Sequence, residues 1–221
     1  MAQVLIVYCH PSRRSHNARI LESVRAGLDA GGTQYTLLDL YEADFPPCLT
    51  EAEYEGIAGG SPHETDPVVE QWQSAVAQST DLIFIYPVWW YGMPARLKGF
   101  VDRVFTPGFA YRFHHVPALL LRVAAAVSFV PGLRYLMQPN AAEGLLKGKR
   151  AWIFRSFGGP KFGKRIFGNL TAGLDHALLR FCGITKVRIH ELYNVHKLQY
   201  SQAYEDAYMA KARQLAEGMG K

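Results

Sequence analysis

Leu82-Ile83-Phe84-Ile85-Tyr86-Pro87-Val88-Trp89-Trp90-Tyr91-Gly92-Met93-Pro94 runs from an apolar segment through a cluster of aromatics to a proline. Its first five residues are continuously apolar, as a strand buried on both faces of a parallel sheet would be. Pro87 stops that strand. Three adjacent aromatics follow, where a core strand has already ended, so they cannot all point into the core. Beyond Pro94, Leu97, Phe100, Val101 and Val104 fall on one helical face. Strand, aromatic loop and helix make one βα unit.

The same alternation runs outward in both directions. Val4-Leu5-Ile6-Val7-Tyr8 is a second buried run. Leu21, Val24 and Leu28 mark a helix that Gly31-Gly32 ends. Tyr35 to Leu40 reads as a strand. Residues 41–66 read as loop, with Pro46-Pro47, Gly59-Gly60 and Pro62. Asp66-Pro67 is an N-cap followed by proline at the first helical position, and Val69, Trp72 and Val76 continue that helix. Towards the C-terminus, Ala151-Trp152-Ile153-Phe154 is a strand. Leu170, Leu174, Leu178 and Phe181 form a helical face closed by Gly183. Val187 and Ile189 belong to an edge strand, and Tyr204, Tyr208, Leu215 and Met219 to a last helix. Five strands alternating with helices predict the α/β class, a doubly wound parallel sheet covered on both faces. No repeat or linker divides the chain, so residues 1–221 are expected to form a single domain.

Residues 112–148 are too long for an ordinary connection. Within them Val116 to Val130 is almost wholly apolar, with only Arg122 and Ser128 polar, bounded by Pro117 and by Pro131-Gly132. A helix apolar on nearly all sides must be covered by something. The partner subunit or the protein's own active-site mouth is favoured over a membrane surface contacting 116–138, because an interfacial helix usually keeps a strongly polar face.

Of the 221 residues, 49% are hydrophobic and 19% charged, which excludes a disordered chain. Lys and Arg outnumber Asp and Glu by 24 to 19, a net charge of +5. That balance suits anionic ligands such as phosphorylated cofactors, and by itself leaves nucleic acid open. A dense Lys/Arg stripe is missing, so nucleic acid is not expected. Three cysteines, Cys9, Cys48 and Cys182, are an odd count without C-x-x-C spacing. A disulfide scaffold and a zinc ribbon are therefore not expected, and no metal is assigned. Met1-Ala2-Gln3 lacks the basic start of a signal peptide. No apolar run reaches the ~18–20 residues of a membrane span. A reducing, cytoplasmic setting is expected. There is no G-x-S-x-G elbow of a hydrolase.

In open α/β sheets, ligands bind beyond the carboxyl ends of the strands. The loop after the first strand, Cys9-His10-Pro11-Ser12-Arg13-Arg14-Ser15-His16-Asn17, feeds a helix N-terminus, whose free N–H groups attract phosphate. Taken alone it is equally an ordinary capping loop. It is neither G-x-G-x-x-G nor a Walker loop. After the third strand, Trp89, Trp90 and Tyr91 suit a flat ring ligand better than packing against the insertion. After the fourth comes Arg155-Ser156-Phe157-Gly158-Gly159-Pro160-Lys161, where glycine admits close backbone approach; alone, a glycine turn with exposed lysines is the better reading. The convergence of the three loops on one face carries the functional argument.

The run from Tyr86 to Phe105, Tyr86-Pro87-Val88-Trp89-Trp90-Tyr91-Gly92-Met93-Pro94-Ala95-Arg96-Leu97-Lys98-Gly99-Phe100-Val101-Asp102-Arg103-Val104-Phe105, closely resembles the signature of the flavodoxin-like NAD(P)H:quinone oxidoreductases. That family includes ancillary proteins of potassium efflux. His10-Pro11 with Ser15 and Asn17, Asp39-Leu40-Tyr41, Phe109-Ala110-Tyr111, Gly158-Gly159 and Phe181-Cys182-Gly183 support the match. The resemblance implies a flavodoxin-like five-stranded sheet in the order 2-1-3-4-5. It implies FAD, with FMN as the alternative, NAD(P)H as electron donor, a quinone-like acceptor, ping-pong hydride transfer and a homodimer. His10, Ser15, His16 and Asn17 match the loop at the flavin phosphates and ribityl chain. Pro87, Val88, Trp89, Trp90 and Tyr91 match the loop at the ring edge and acceptor site. Ser156, Phe157, Gly158 and Gly159 match the loop at the pyrimidine ring. Trp90, Tyr91, Gly158 and Gly159 stand nearest the chemistry.

The resemblance covers most of the chain except residues 112–144 and the C-terminal helix. Two departures stand out: the animal enzymes carry a Tyr and then a His soon after Gly-Gly, where this chain has Phe162 and Lys164, and this chain carries the long apolar insertion. The alternative function is a flavodoxin-like electron carrier or regulatory subunit of a membrane transporter.

Overall fold

The computed structural model describes residues 3–59, 66–114, 122, 126, 142–162, 173–196 and 200–220. Five parallel strands form the central sheet: β1 (Gln3–Tyr8), β2 (Gln34–Asp39), β3 (Asp81–Pro87), β6 (Arg150–Ser156) and β7 (Lys186–Leu192). Their order is β2-β1-β3-β6-β7, which is 2-1-3-4-5 when the sheet strands are counted along the chain. Every residue of β3 is buried, whereas β7 at the edge alternates. Both patterns follow from the position of each strand in the sheet.

One apolar layer packs β1, β3 and β6 against α3 (Pro67–Gln78) and α4 (Ala95–Val104) through Val69, Val76, Leu97, Phe100 and Val104. The other packs the opposite face against α1 (His16–Ala30) and α5 (Gln202–Glu217) through Ile20, Val24, Leu28, Met209 and Ala212. α1 and α5 lie so close that a Cβ on Gly27 would stand 2.2 Å from the Arg213 carbonyl oxygen. Asp66 caps α3 as expected, its carboxylate accepting from Val68 N at 2.9 Å, with Pro67 at the first helical position.

Three expectations are corrected. Residues 41–66 are not all loop, because α2 spans Glu51–Gly59. A reciprocal cap starts it: Thr50 Oγ1 accepts from Glu53 N at 3.2 Å while Glu53 Oε2 accepts from Thr50 N at 2.8 Å. Around Leu174 the helix is a π-turn, Gly173–Leu179, so Leu174, Leu179 and Cys182 are buried and Phe181 is exposed. Wider winding shifts the buried face away from 3.6-residue spacing. Of the residues expected on the last helix, Tyr204, Tyr208 and Leu215 lie on α5, whereas Met219 falls in the 3-10 turn Gly218–Gly220 just beyond it; the buried face of α5 is Glu205, Met209, Ala212 and Ala216.

The ends of the 112–148 insertion pair as an antiparallel ribbon, β4 (Tyr111–Phe113) with β5 (Ala142–Gly144). Arg112 and Glu143 face each other there at 2.8 Å. The expected helix over 117–130 lies outside the described residues, apart from Arg122 and Ala126. Among the described residues no helix is long and apolar enough to cross a membrane.

Candidate active site

The loops after β1, β3 and β6 meet at the carboxyl end of the sheet. After β1, the N–H of Cys9 still bonds Ile85 O at 2.9 Å, after which the chain turns. Burial lowers the pKa of His10. Its Nδ1 lies 3.0 Å from Ser12 N and 3.1 Å from Ser12 O, so the ring is held against its own loop. Ser15 caps α1, its hydroxyl oxygen accepting from Ala18 N at 3.1 Å. Arg13 turns away from the site to Asp39, at 2.7 Å, and to Glu42. Asn17, in the first turn of α1, is 2% exposed, and its Nδ2 donates to Ser156 Oγ at 2.8 Å.

The β3 loop is fastened to the same serine: Val88 N donates to Ser156 O at 2.9 Å. Trp89 and Gly92 then exchange both backbone hydrogen bonds, at 3.1 and 3.0 Å, around Trp90 and Tyr91 with φ of 50° and 61°. Two left-handed central residues make this a type I′ turn, a conformation that ordinarily calls for Asn-Gly. Bulky residues hold it at a cost of about 1–2 kcal/mol each. The turn projects Trp90 almost wholly into solvent, at 97% exposure, with Tyr91 and Trp89 about half exposed. The His10 ring lies 6.1 Å from that of Trp89, joining the β1 loop to the β3 loop. A cleft of about 70 Å³ opens beside the turn, lined by Tyr86, Val88, Tyr91, Met93 and Leu174.

After β6, Phe157 stacks on Tyr193 with centroids 4.8 Å apart. A Cβ placed on Gly158 or Gly159 would meet nothing within 4 Å, so this backbone fronts open space. Lys161 and Phe162 are exposed. Among the described residues no group of His, Cys, Asp and Glu is arranged to hold a metal ion.

The expected site residues on the three loops are thus brought to one end of the sheet. Sequence reasoning missed a fourth loop, after β7. Val195 N bonds Phe157 O and Asn194 N bonds Gly159 O, both at 3.1 Å. Beneath it lies a buried polar network. Arg155, 1% exposed, pairs with Glu191 at 2.6 Å, and the Tyr193 hydroxyl donates to the same carboxylate. Burial and that carboxylate raise the pKa of Tyr193 and keep it a phenol. No local pattern marks these residues, because their partners come from different strands. His16 departs from expectation in one respect: its Nδ1 is engaged by Glu205 of α5 at 2.8 Å.

The arrangement fits a flavin nucleotide on three observations. Asn17 Oδ1 is buried without a hydrogen-bond partner, so an acceptor awaits a ligand hydroxyl or N–H. The aromatic rings stand in solvent rather than in the core. Open backbone lies at Gly158-Gly159.

A family model described as Flavodoxin-like fold matches residues 2–217. An uncharacterized NAD(P)H oxidoreductase of Haemophilus influenzae is 28% identical over 196 residues, covering 87% of this chain and 84% of that protein. The ribosyldihydronicotinamide dehydrogenase (quinone) of Mus musculus is 29% identical over 202 residues, covering 82% and 77%. The crystal structure of Smu.1420 from Streptococcus mutans is 31% identical, covers 97% of this chain and 98% of that one, and superposes with a TM-score of 0.76.

Proposed function

This chain belongs to the Flavodoxin-like fold family, and from that membership we propose that it is a flavin-dependent NAD(P)H oxidoreductase passing a hydride to a quinone-like acceptor in ping-pong order. The observation that carries the reading is the junction at Ser156, which ties Asn17 and Val88 to one residue and sets the exposed turn beside the open glycine backbone. The names of the Haemophilus and mouse relatives support the donor and acceptor classes.

A bound flavin supplies the ring that takes up and gives back the hydride. The chain's own residues bind, orient and shield. Ser15 and the free N–H groups of the first turn of α1 receive the phosphate end. Asn17 holds the ribityl region through Oδ1. Trp89, Trp90 and Tyr91 wall a flat slot that excludes water and brings donor or acceptor to the roughly 3–3.5 Å that transfer requires. Backbone N–H groups at Gly158 and Gly159 would hold the pyrimidine end of the flavin and would stabilise negative charge there. One slot serves both half-reactions, so the oxidised nicotinamide leaves before the acceptor enters. FAD is the form the resemblance implies, and FMN the alternative. The exposed turn suits a homodimer in which a second copy covers the rings, and three free thiols suit a reducing cytoplasm.

The experiment is identification of the flavin released from purified protein, followed by NAD(P)H oxidation with soluble quinones. Tightly bound flavin with fast quinone-dependent turnover supports the reading. Bound flavin with negligible turnover favours the electron-carrier alternative.

A further inference from the structure

Glu205 is a carboxylate with 1% exposure in the first turn of α5. A charge buried that deeply is costly unless both oxygens are satisfied. Oε1 accepts from His16 Nδ1 at 2.8 Å, and Oε2 from Arg19 at 2.8 Å and from the Tyr200 hydroxyl. Burial pushes Glu205 towards the neutral acid, but Tyr200, His16 and Arg19 outweigh it and keep its pKa below the ordinary carboxylate value. Arg19 is shared with Asp206 at 2.7 Å. One guanidinium thus faces two carboxylates.

A clasp between α1 and α5 needs only the Arg19–Glu205 pair and the close approach at Gly27. His16 is the addition to explain. It is the first helical residue after the cap Ser15 and directly precedes Asn17. With Nδ1 donating to Glu205, Nε2 is the ring atom left for a ligand. The Tyr200 ring, 5.4 Å away, limits its rotation. An imidazole that donates from Nδ1 to a carboxylate and from Nε2 to a phosphate makes a charge-assisted hydrogen bond on each side.

Resting on the flavin reading of this loop, we propose that Glu205 is a positioning residue: it fixes His16 as a donor to the phosphate of the flavin and so ties cofactor affinity to the C-terminal helix.

FMN and riboflavin differ only by the 5′-phosphate, so the ratio of their dissociation constants isolates the share of binding that the phosphate contributes. Wild-type protein is expected to prefer FMN. Glu205→Gln is expected to cut that preference about tenfold or more while riboflavin affinity stays within about twofold. In a His16→Ala background, Glu205→Gln should have no further effect on the preference, since it acts through His16. Arg19→Gln, which weakens the clasp but leaves the Glu205–His16 hydrogen bond, should lower Tm and leave the preference intact. Glu205→Asp, which keeps the charge but withdraws it from His16, should lose the preference as well and serves if Glu205→Gln does not fold. The inference is overturned if wild type prefers FMN but these Glu205 variants weaken both ligands equally or neither, or if the loss is as large without His16 as with it. Folded wild type that binds neither ligand removes the flavin reading itself, and this inference with it.

Discussion

Asn17 Nδ2 donates to Ser156 Oγ at 2.8 Å, joining residues 139 apart in the chain. The bond locks the first turn of α1 to the end of β6 and leaves Asn17 Oδ1 buried without a partner. Ser156→Ala strands the amide donor as well. The expected cost is about 1–3 kcal/mol of stability, read by denaturant titration, together with weaker flavin retention. Wild-type stability and flavin content in this variant would show that the bond positions nothing.

The turn at Trp90-Tyr91 opposes stability to function. Both residues sit at positive φ. Tyr91→Gly relieves the left-handed cost, though it loosens the unfolded chain, and a net gain of about 1 kcal/mol is expected. Because it also removes a wall of the slot, kcat/KM should fall. A Tyr91→Gly protein that is less stable than wild type would contradict the strain argument.

His190 makes the fold sensitive to mild acid. Burial lowers its pKa, helped by Lys211 and Arg188, and its Nε2 is buried without a partner. The unfolded chain therefore takes up this proton at a higher pH than the folded one. The stabilising contribution is complete above the ordinary imidazole pKa near ~6.5 and is lost as pH falls through that value towards the lower folded one. His190→Phe should flatten Tm between about pH 7 and 5. An equally steep loss in both proteins would exclude His190 as its source.

The cysteines are expected to take no part in turnover. Burial pushes Cys9 and Cys182 up to about 12, so both remain thiols at neutral pH, whereas Cys48 is exposed. A thiol reagent should label one cysteine in native protein and all three after unfolding. Replacing all three should spare turnover per bound flavin. Loss of turnover in a folded, flavin-loaded triple variant would refute this.

What was legible in the sequence was local. Asp66-Pro67 and Gly31 carry their own capping chemistry, and the unbroken apolar run from Leu82 to Tyr86, stopped by Pro87, has the length and pattern of a strand buried on both faces. The Thr50–Glu53 cap was present as well, but Pro46-Pro47 and Gly59-Gly60 on either side read as loop. Two features were not legible. Turn rules reserve the conformation of Trp90 and Tyr91 for Asn and Gly, so the strain becomes visible only in three dimensions. Nothing local marks Glu205, whose partner His16 lies at a separation of 189 residues.

The most direct measurement is anaerobic reduction of the flavin-loaded protein by NAD(P)H, removal of the nicotinamide, and then addition of a quinone. The account predicts that the yellow colour bleaches with NAD(P)H and returns with quinone alone. Trp90→Ala should slow both steps, and Lys98→Ala, on the exposed face of α4, should slow neither. A folded protein that takes up neither FAD nor FMN, or whose bleached flavin no quinone restores, would contradict it.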